Sequence, residues 1–438
     1  MFGNVKADFI NKVANMSGFD AKTVQQCRMR FPALLRKEND TPAIFFDGPA
    51  GTQVPNAVVD AMTEYLVGCN ANHGGFFGTA NQSERWVDKA HQAFADIVGA
   101  DDPDEIIFGQ NMTSLTFAFS RSLSKTWEAG DEIIVTRLDH DANVTPWVQA
   151  AAEAGATVKW LDFNRSDHHL DMEQFETLLG PKTKLVAAGC ASNATGGINP
   201  VKRICELAHE HGALVYLDAV HYGPHGLIDV KEWGCDFLAC SAYKFFGPHL
   251  GTLWGRRTLL ESLEPYKVRP SKNKIPDRWM TGTQSYESIV GGMSAIEYLA
   301  DLGCQFLGKP DAPRREALIS VFNAIREYEA SLSKHMLDGL AKISGVKVYG
   351  VTDTDRLDER FPTFSITHEA IKTTELAKLL CEKGVYVWHG HYYALGFTEG
   401  LNLEPEGMVR IGLVHYNTVQ EIDRMLAIVE DVVHSETI

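Results

Sequence analysis

The stretch Ala213-Leu-Val-Tyr-Leu-Asp218, with Cys235-Asp-Phe-Leu-Ala-Cys-Ser241 and the Ala242-Tyr-Lys244 that follows, decides the fold. Both runs are apolar and have the length of strands buried on both faces. One ends in an acid, the other in a serine and a lysine. Parallel strands covered by helices present their carboxyl ends along a single edge, so Asp218 and Lys244 are expected close together. A lysine amine forms a Schiff base with an aldehyde, and a carboxylate can hold a pyridine nitrogen protonated. The pair therefore points to pyridoxal 5'-phosphate (PLP) as cofactor.

Outward from this stretch, helical and strand patterns alternate from about 55 to 300. Helices are expected over Pro55–Val67, Glu84–Val98, Val144–Ala154 and Val201–His211. Strands are expected over Glu105–Phe108, Glu132–Arg137, Thr157–Phe163, Lys184–Cys190 and Leu214–Asp218. Such alternation predicts an α/β fold with a mostly parallel sheet. Composition changes near 305–315, where Gly308-Lys-Pro-Asp-Ala-Pro313 reads as a loop. Beyond it come a helix from Arg314 to about Ile343, strands at Val346–Tyr349, Thr363–Thr367, Val385–Trp388 and Arg410–Val414, and helices at Thr373–Lys383 and Val419–His434. That pattern suits a smaller α+β domain.

The chain has 438 residues, room for two domains at about 150 residues each. Its apolar content of 45% and charged content of 22% suit a soluble globular enzyme. A net charge of −16 argues against nucleic acid as a partner, because a phosphate backbone needs a basic surface. Eight cysteines without a C-x-x-C pair predict reduced thiols and a cytoplasmic protein. Neither a signal peptide nor a membrane span is expected.

Leu217-Asp-Ala-Val-His221, Gly234 to Lys244 and Gly247-Pro-His-Leu-Gly251 together resemble the class V aminotransferases. The nearest branch is similar to the cysteine desulfurases and selenocysteine lyases, and the likeness covers nearly the whole chain. It implies the PLP-dependent transferase fold type I: a mostly parallel seven-stranded sheet flanked by helices, plus the smaller domain. The large PLP-binding domain would span 27–305, and residues 1–26 would join 306–438 in the small one.

The resemblance also assigns roles. Met112 and Thr113 open an apolar helical run and stand where the family binds phosphate; a helix start has free N–H groups for an anion. His140, in His140-Asp-Ala-Asn143, would stack on the cofactor ring and relay protons. Asn193 and His221 would reach the phenolic oxygen, Ser241 and Tyr243 the phosphate. Asp218 would be ionised against the pyridine nitrogen. Thr283, in Met280-Thr-Gly-Thr283, would reach the partner's site in a homodimer. Catalysis would rest on Lys244, His140 and Asp218.

On the substrate side, Arg410 opens Arg410-Ile-Gly-Leu-Val-His-Tyr-Asn-Thr418, similar to the family's Arg-x-Ser-x-x-x-Tyr-Asn-Thr signature with Gly412 for the serine. A guanidinium grips a carboxylate with two prongs, so Arg410 is expected to hold an amino acid's α-carboxylate. His73, Asn193, His391 and Tyr393 are further substrate-side candidates. Val387-Trp-His-Gly-His-Tyr-Tyr-Ala394 departs from the desulfurase pattern Arg-Thr-Gly-His-His-Cys. Tyr393 stands at the thiol position, and a phenol cannot take up sulfur as a thiolate does. His389 and His391, even with His168 and His169, lack the carboxylate or thiol companions of a metal centre, so no metal is expected. The expected activity is PLP chemistry at the α-carbon of an amino acid, desulfurase-like but without a persulfide-forming cysteine. Transamination, epimerisation and a non-catalytic PLP-fold binding protein are the alternatives.

Overall fold

The computed structural model describes residues 18–38 and 40–436. Its centre is a seven-stranded sheet. In chain order the strands are β1 (Ile106–Gly109), β2 (Glu132–Thr136), β3 (Thr157–Leu161), β4 (Thr183–Gly189), β5 (Leu214–Asp218), β6 (Phe237–Ser241) and β7 (Gly251–Gly255). They lie in the order β1-β7-β6-β5-β4-β2-β3. The run β6-β5-β4-β2-β3 is parallel. β7 runs antiparallel to both its neighbours. The expected mostly parallel seven-stranded sheet is therefore present.

β7 was not foreseen: Gly-Thr-Leu-Trp-Gly is short and bounded by glycines. Its first glycine has a packing reason. A Cβ at Gly251 would lie 2.3 Å from the carbonyl carbon of Asn111. Only glycine lets β7 approach the start of the helix after β1 so closely.

Helices cover the sheet: α1 (Ala21–Arg28), α2 (Asn56–Gly68), α3 (Gly78–Val98), α4 (Met112–Leu123), α5 (Thr145–Ala154), α6 (Val201–Glu210) and α7 (Tyr286–Leu307). α3 starts six residues before the expected Glu84. Its buried residues Val87, Ala90, Phe94, Ile97 and Val98 recur every three or four positions, and Gly99 stops it in the left-handed conformation at φ 76°. The early turns are polar, which hid them from the apolar pattern.

α8 (Arg314–Leu340) leads to a four-stranded sheet of β8 (Val346–Tyr349), β9 (Thr363–His368), β10 (Trp388–Gly390) and β11 (Met408–Gly412), in the order β8-β9-β11-β10. α9 (Thr373–Glu382) and α10 (Val419–Glu436) complete this part. The expected strand Val385–Trp388 divides: Val385–Tyr386 pairs with Ile44–Phe45, and β10 joins β11. α1 is capped by Asp20 and tied to α10 by a 2.9 Å Arg28–Glu421 ion pair. Residues 1–17 of the expected N-terminal segment lie outside the described residues.

One buried side chain bridges the sheets. Arg360, 1% exposed, donates to the carbonyls of Val351, Phe361, Thr363 and Thr195. Burial lowers its pKa to about 9. Thr195 belongs to the loop after β4, so this guanidinium ties that loop to β9.

Candidate active site

A cavity of about 580 Å³ opens where the seven-stranded sheet ends and the four-stranded sheet begins. Asp218 closes β5. Ser241 closes β6, and the single turn Ala242–Lys244 swings Lys244 inward. Asp139 and His140 follow β2, and Asn193 sits on the loop after β4. Arg410 comes from β11. All of them line the cavity, as do Met112, Thr113, His221, Tyr243, His391 and Tyr393.

The floor is lined by titratable groups. Lys244 donates from Nζ to the carbonyl of Pro49. Burial, with Arg410 nearby, lowers its pKa from 10.5 to about 7. Asp218 accepts from the Val220 amide at 2.8 Å, and burial raises its carboxyl to about 7. The expected ionised form thus needs a cationic partner: an opposite charge would bring the value down again. Asp139, buried beneath His140, accepts from Thr136, Asn143 and the Gly189 amide, and burial pushes it to about 6.

His140 accepts the Ala142 amide on Nδ1 at 3.0 Å. Burial and the cations Lys244 and Arg410 lower its pKa to about 3, so it is neutral and carries its proton on Nε2. Its ring stacks on Tyr393 at 5.2 Å and 19°. Asn193 donates from Nδ2 to the Tyr392 carbonyl, while its Oδ1 is buried and without a partner. His221 meets the Thr363 hydroxyl at 3.2 Å. Met112 sends its side chain into the core, leaving its amide at the start of α4; Asn111 caps that start through the Ser114 amide.

Arg410 is 4% exposed, donates to the Asn193 carbonyl at 2.9 Å and lies 4.3 Å from the Tyr392 ring centre. Burial lowers its pKa to about 10. Among the described residues it forms no ion pair, so a buried guanidinium stands ready for an anion. Gly412, in the family's serine position, packs against Pro49: a Cβ there would fall 2.1 Å from its ring. The serine and this proline loop exclude each other.

Two expected residues lie elsewhere. His73 lines a separate cavity of about 380 Å³ together with Gly282 and Gln284. Thr283 is exposed and absent from the first cavity. The asparagine-rich run around His73 carried no burial signal that could have shown this. His168 also lies apart, accepting the Gly350 amide on Nδ1. Conversely, Asp139, Thr374, Tyr392 and Glu406 line the cavity without having been expected. Asp139 is adjacent to His140 and could have been found from that neighbour. Glu406 has no local signal.

The aminotransferase class-V family model matches residues 44–425. The chain belongs to this family of PLP-dependent enzymes. It is 33% identical over 420 residues to the aminotransferase-like protein FGM3 of Gibberella zeae, covering 93% of this chain and 98% of that one. It is 30% identical over 409 residues to a probable cysteine desulfurase of Halalkalibacterium halodurans, covering 90% and 94%. Among solved structures, the cysteine desulfurase of Thermococcus onnurineus NA1 superposes with a TM-score of 0.84 at 24% identity, covering 96% of this chain and all of that one. The Escherichia coli cysteine desulfurase CsdA gives 0.81 at 24% with the same coverage. The class V enzyme thus has the PLP-dependent transferase fold type I expected from its sequence. Among the described residues no helix is long and apolar enough to cross a membrane.

Proposed function

We propose that this class V enzyme binds PLP and acts at the α-carbon of an amino acid, as a desulfurase-like C–S-cleaving or lyase-type enzyme without a persulfide-forming cysteine. The observation that carries the reading is that the half-buried Lys244, Asp218 at the end of the neighbouring strand, and the buried guanidinium of Arg410, which has no ion-pair partner among the described residues, line one cavity. The residues present fit the cofactor. Asn193 has an unsatisfied buried acceptor atom, and the start of α4 leaves the Met112 and Thr113 amides for a phosphate, beside Ser241 and Tyr243. In this reading Asp218 would face the ring nitrogen, and Asn193 and His221 the phenolic oxygen. When bound, PLP supplies an electron-withdrawing ring for charge developing at the substrate α-carbon.

The chain does the rest. Arg410 holds the substrate carboxylate in a two-pronged grip. Lys244, half neutral near pH 7, would take the α-proton on Nζ, while the β-sulfur leaves with the C–S electron pair as a thiolate or thiol. His140 offers its Nε2–H over the cavity. No cysteine lines the cavity, and Cys381 is exposed on α9. Tyr393 takes the thiol's place.

Incubating the loaded enzyme with a panel of amino acids and assaying sulfide, alanine, pyruvate and oxo acids tests this. Elimination products, with no sulfur added to any cysteine by mass spectrometry, are expected. Sulfide and alanine from cysteine with a persulfide on the protein would overturn it. Transamination or epimerisation is the second reading, favoured by the likeness to an aminotransferase-like protein; oxo acids without elimination products would select transamination.

The active form in this proposal is a homodimer. Val59, Leu66 and Val67 are exposed on one face of α2, and Phe76 and Phe77 are exposed just beyond it. His73 and Thr283, which the family likeness assigns to an active site, both lie away from this chain's own cavity. Both facts suit a partner subunit whose site they complete. Mixing inactive Lys244→Ala with Thr283→Ala subunits should restore activity; failure of a proven mixed dimer to do so would remove Thr283 from the partner's site. The eight free thiols support a cytoplasmic location.

A further inference from the structure

The cavity is polarised. Its floor holds the buried guanidinium of Arg410 and the amine of Lys244. Its mouth holds the aromatic side chains of Trp388 and Tyr393 and the acidic residue Glu406. Trp388 pairs directly across the strands with Arg410, so their side chains share one face of the sheet. Trp388 is 53% exposed and Tyr393 64%, yet both line the cavity. These are large rings left at an opening rather than packed in a core. Glu406 joins them. A Cβ at Gly407 would lie 2.2 Å from Gly390, so the two backbones touch and bring Glu406 beside the end of β10. Its nearest cation, Lys372, stands 3.9 Å away and is itself 79% exposed. Such a loose surface pair holds the carboxylate only weakly.

Trp388 is the cross-strand neighbour of Arg410, so an amino acid gripped at its carboxylate by Arg410 would lie within reach of that ring. Aromatic rings attract a cation, and a nearby carboxylate adds its own Coulomb attraction. We propose that the preferred substrate of this site is an α-amino acid whose side chain ends in a cation, with Trp388, Tyr393 and Glu406 as the residues that select it. A cysteine thioether with a cationic far end satisfies this and the C–S-cleaving reading together. The inference rests on the proposed amino-acid chemistry at Lys244 and Arg410.

The test compares L-lysine with L-norleucine, which differ only by the terminal ammonium. L-phenylalanine and L-glutamate serve as further arms. Binding to the PLP-loaded enzyme is measured by calorimetry and by the change in cofactor absorbance. Lysine should bind about tenfold tighter than norleucine, the scale of one cation–π contact aided by a carboxylate. That ratio should fall towards one in Glu406→Gln and in Trp388→Leu. Equal binding of lysine and norleucine overturns the proposal, as does tightest binding of phenylalanine or a ratio unchanged in both variants. If no amino acid of any class binds, the amino-acid reading itself fails, and this inference with it.

Discussion

The floor of the cavity and its mouth are built by different means. Asp218, Ser241, Lys244 and Asp139 stand at the ends of buried strands, held by backbone amides and carbonyls. Trp388, Tyr393 and Glu406 stand on a short edge strand and its flanking loops. Tyr392 and Tyr393 there both adopt left-handed backbone, at φ 44° and 62°, which non-glycine residues seldom do. The Tyr393 carbonyl accepts the Asp141 amide at 2.7 Å, pinning this bend beside His140. The contrast separates two tasks. The floor fixes charge states by burial, and the mouth offers side chains that can change without disturbing the sheet.

The contrast can be broken first at its firmest point. Lys244→Ala should abolish turnover and the covalent attachment of PLP trapped by borohydride and read by mass spectrometry. An unaltered spectrum with retained turnover would refute the assignment. Next, Gly251→Ala drives a methyl into the Asn111 backbone. It should cost about 3 kcal/mol of stability, the scale of forced overpacking, seen as a lower midpoint in thermal unfolding. A normal midpoint would show the floor to be pliable.

Arg410→Lys keeps the charge but loses the fork. The kcat/KM should drop about 10- to 100-fold, the worth of one charged hydrogen bond. Unchanged kinetics would place the substrate carboxylate elsewhere. A subtler effect concerns pH. Only the neutral amine attacks an aldehyde, and burial lowers Lys244 to about 7. Trapping of PLP by the cofactor-free protein should therefore rise through pH 7, whereas a solvated lysine would need pH above about 10. A midpoint near 10 would mean that the floor is wet. The smallest change is expected at the mouth. Trp388→Ala should shift stability by less than about 0.5 kcal/mol, because the ring is half exposed. A large loss would make the mouth structural.

Much of the floor was legible in the sequence because it obeys local rules. β5 and β8 fall where expected, since apolar runs bounded by turns leave few alternatives. Lys244, Asp218 and His140 could be read because each directly ends or follows such a run. The mouth was less legible. Val385–Trp388 reads as one strand, but neighbours distant in sequence, Ile44–Phe45 and β11, pull it into separate sheets. Glu406 reaches the cavity only through the contact of Gly407 with Gly390, which no periodicity records. His73 and Thr283 rest on family likeness alone, and one chain brings neither to its own cavity.

Arg360 bears on how the molecule comes apart. Its guanidinium is hydrogen-bonded to carbonyls on β9 and on the loop that carries Asn193. Withdrawing it would strand acceptors in both places at once. Heating that loosens β9 is therefore expected to disorder the Asn193 loop along with it.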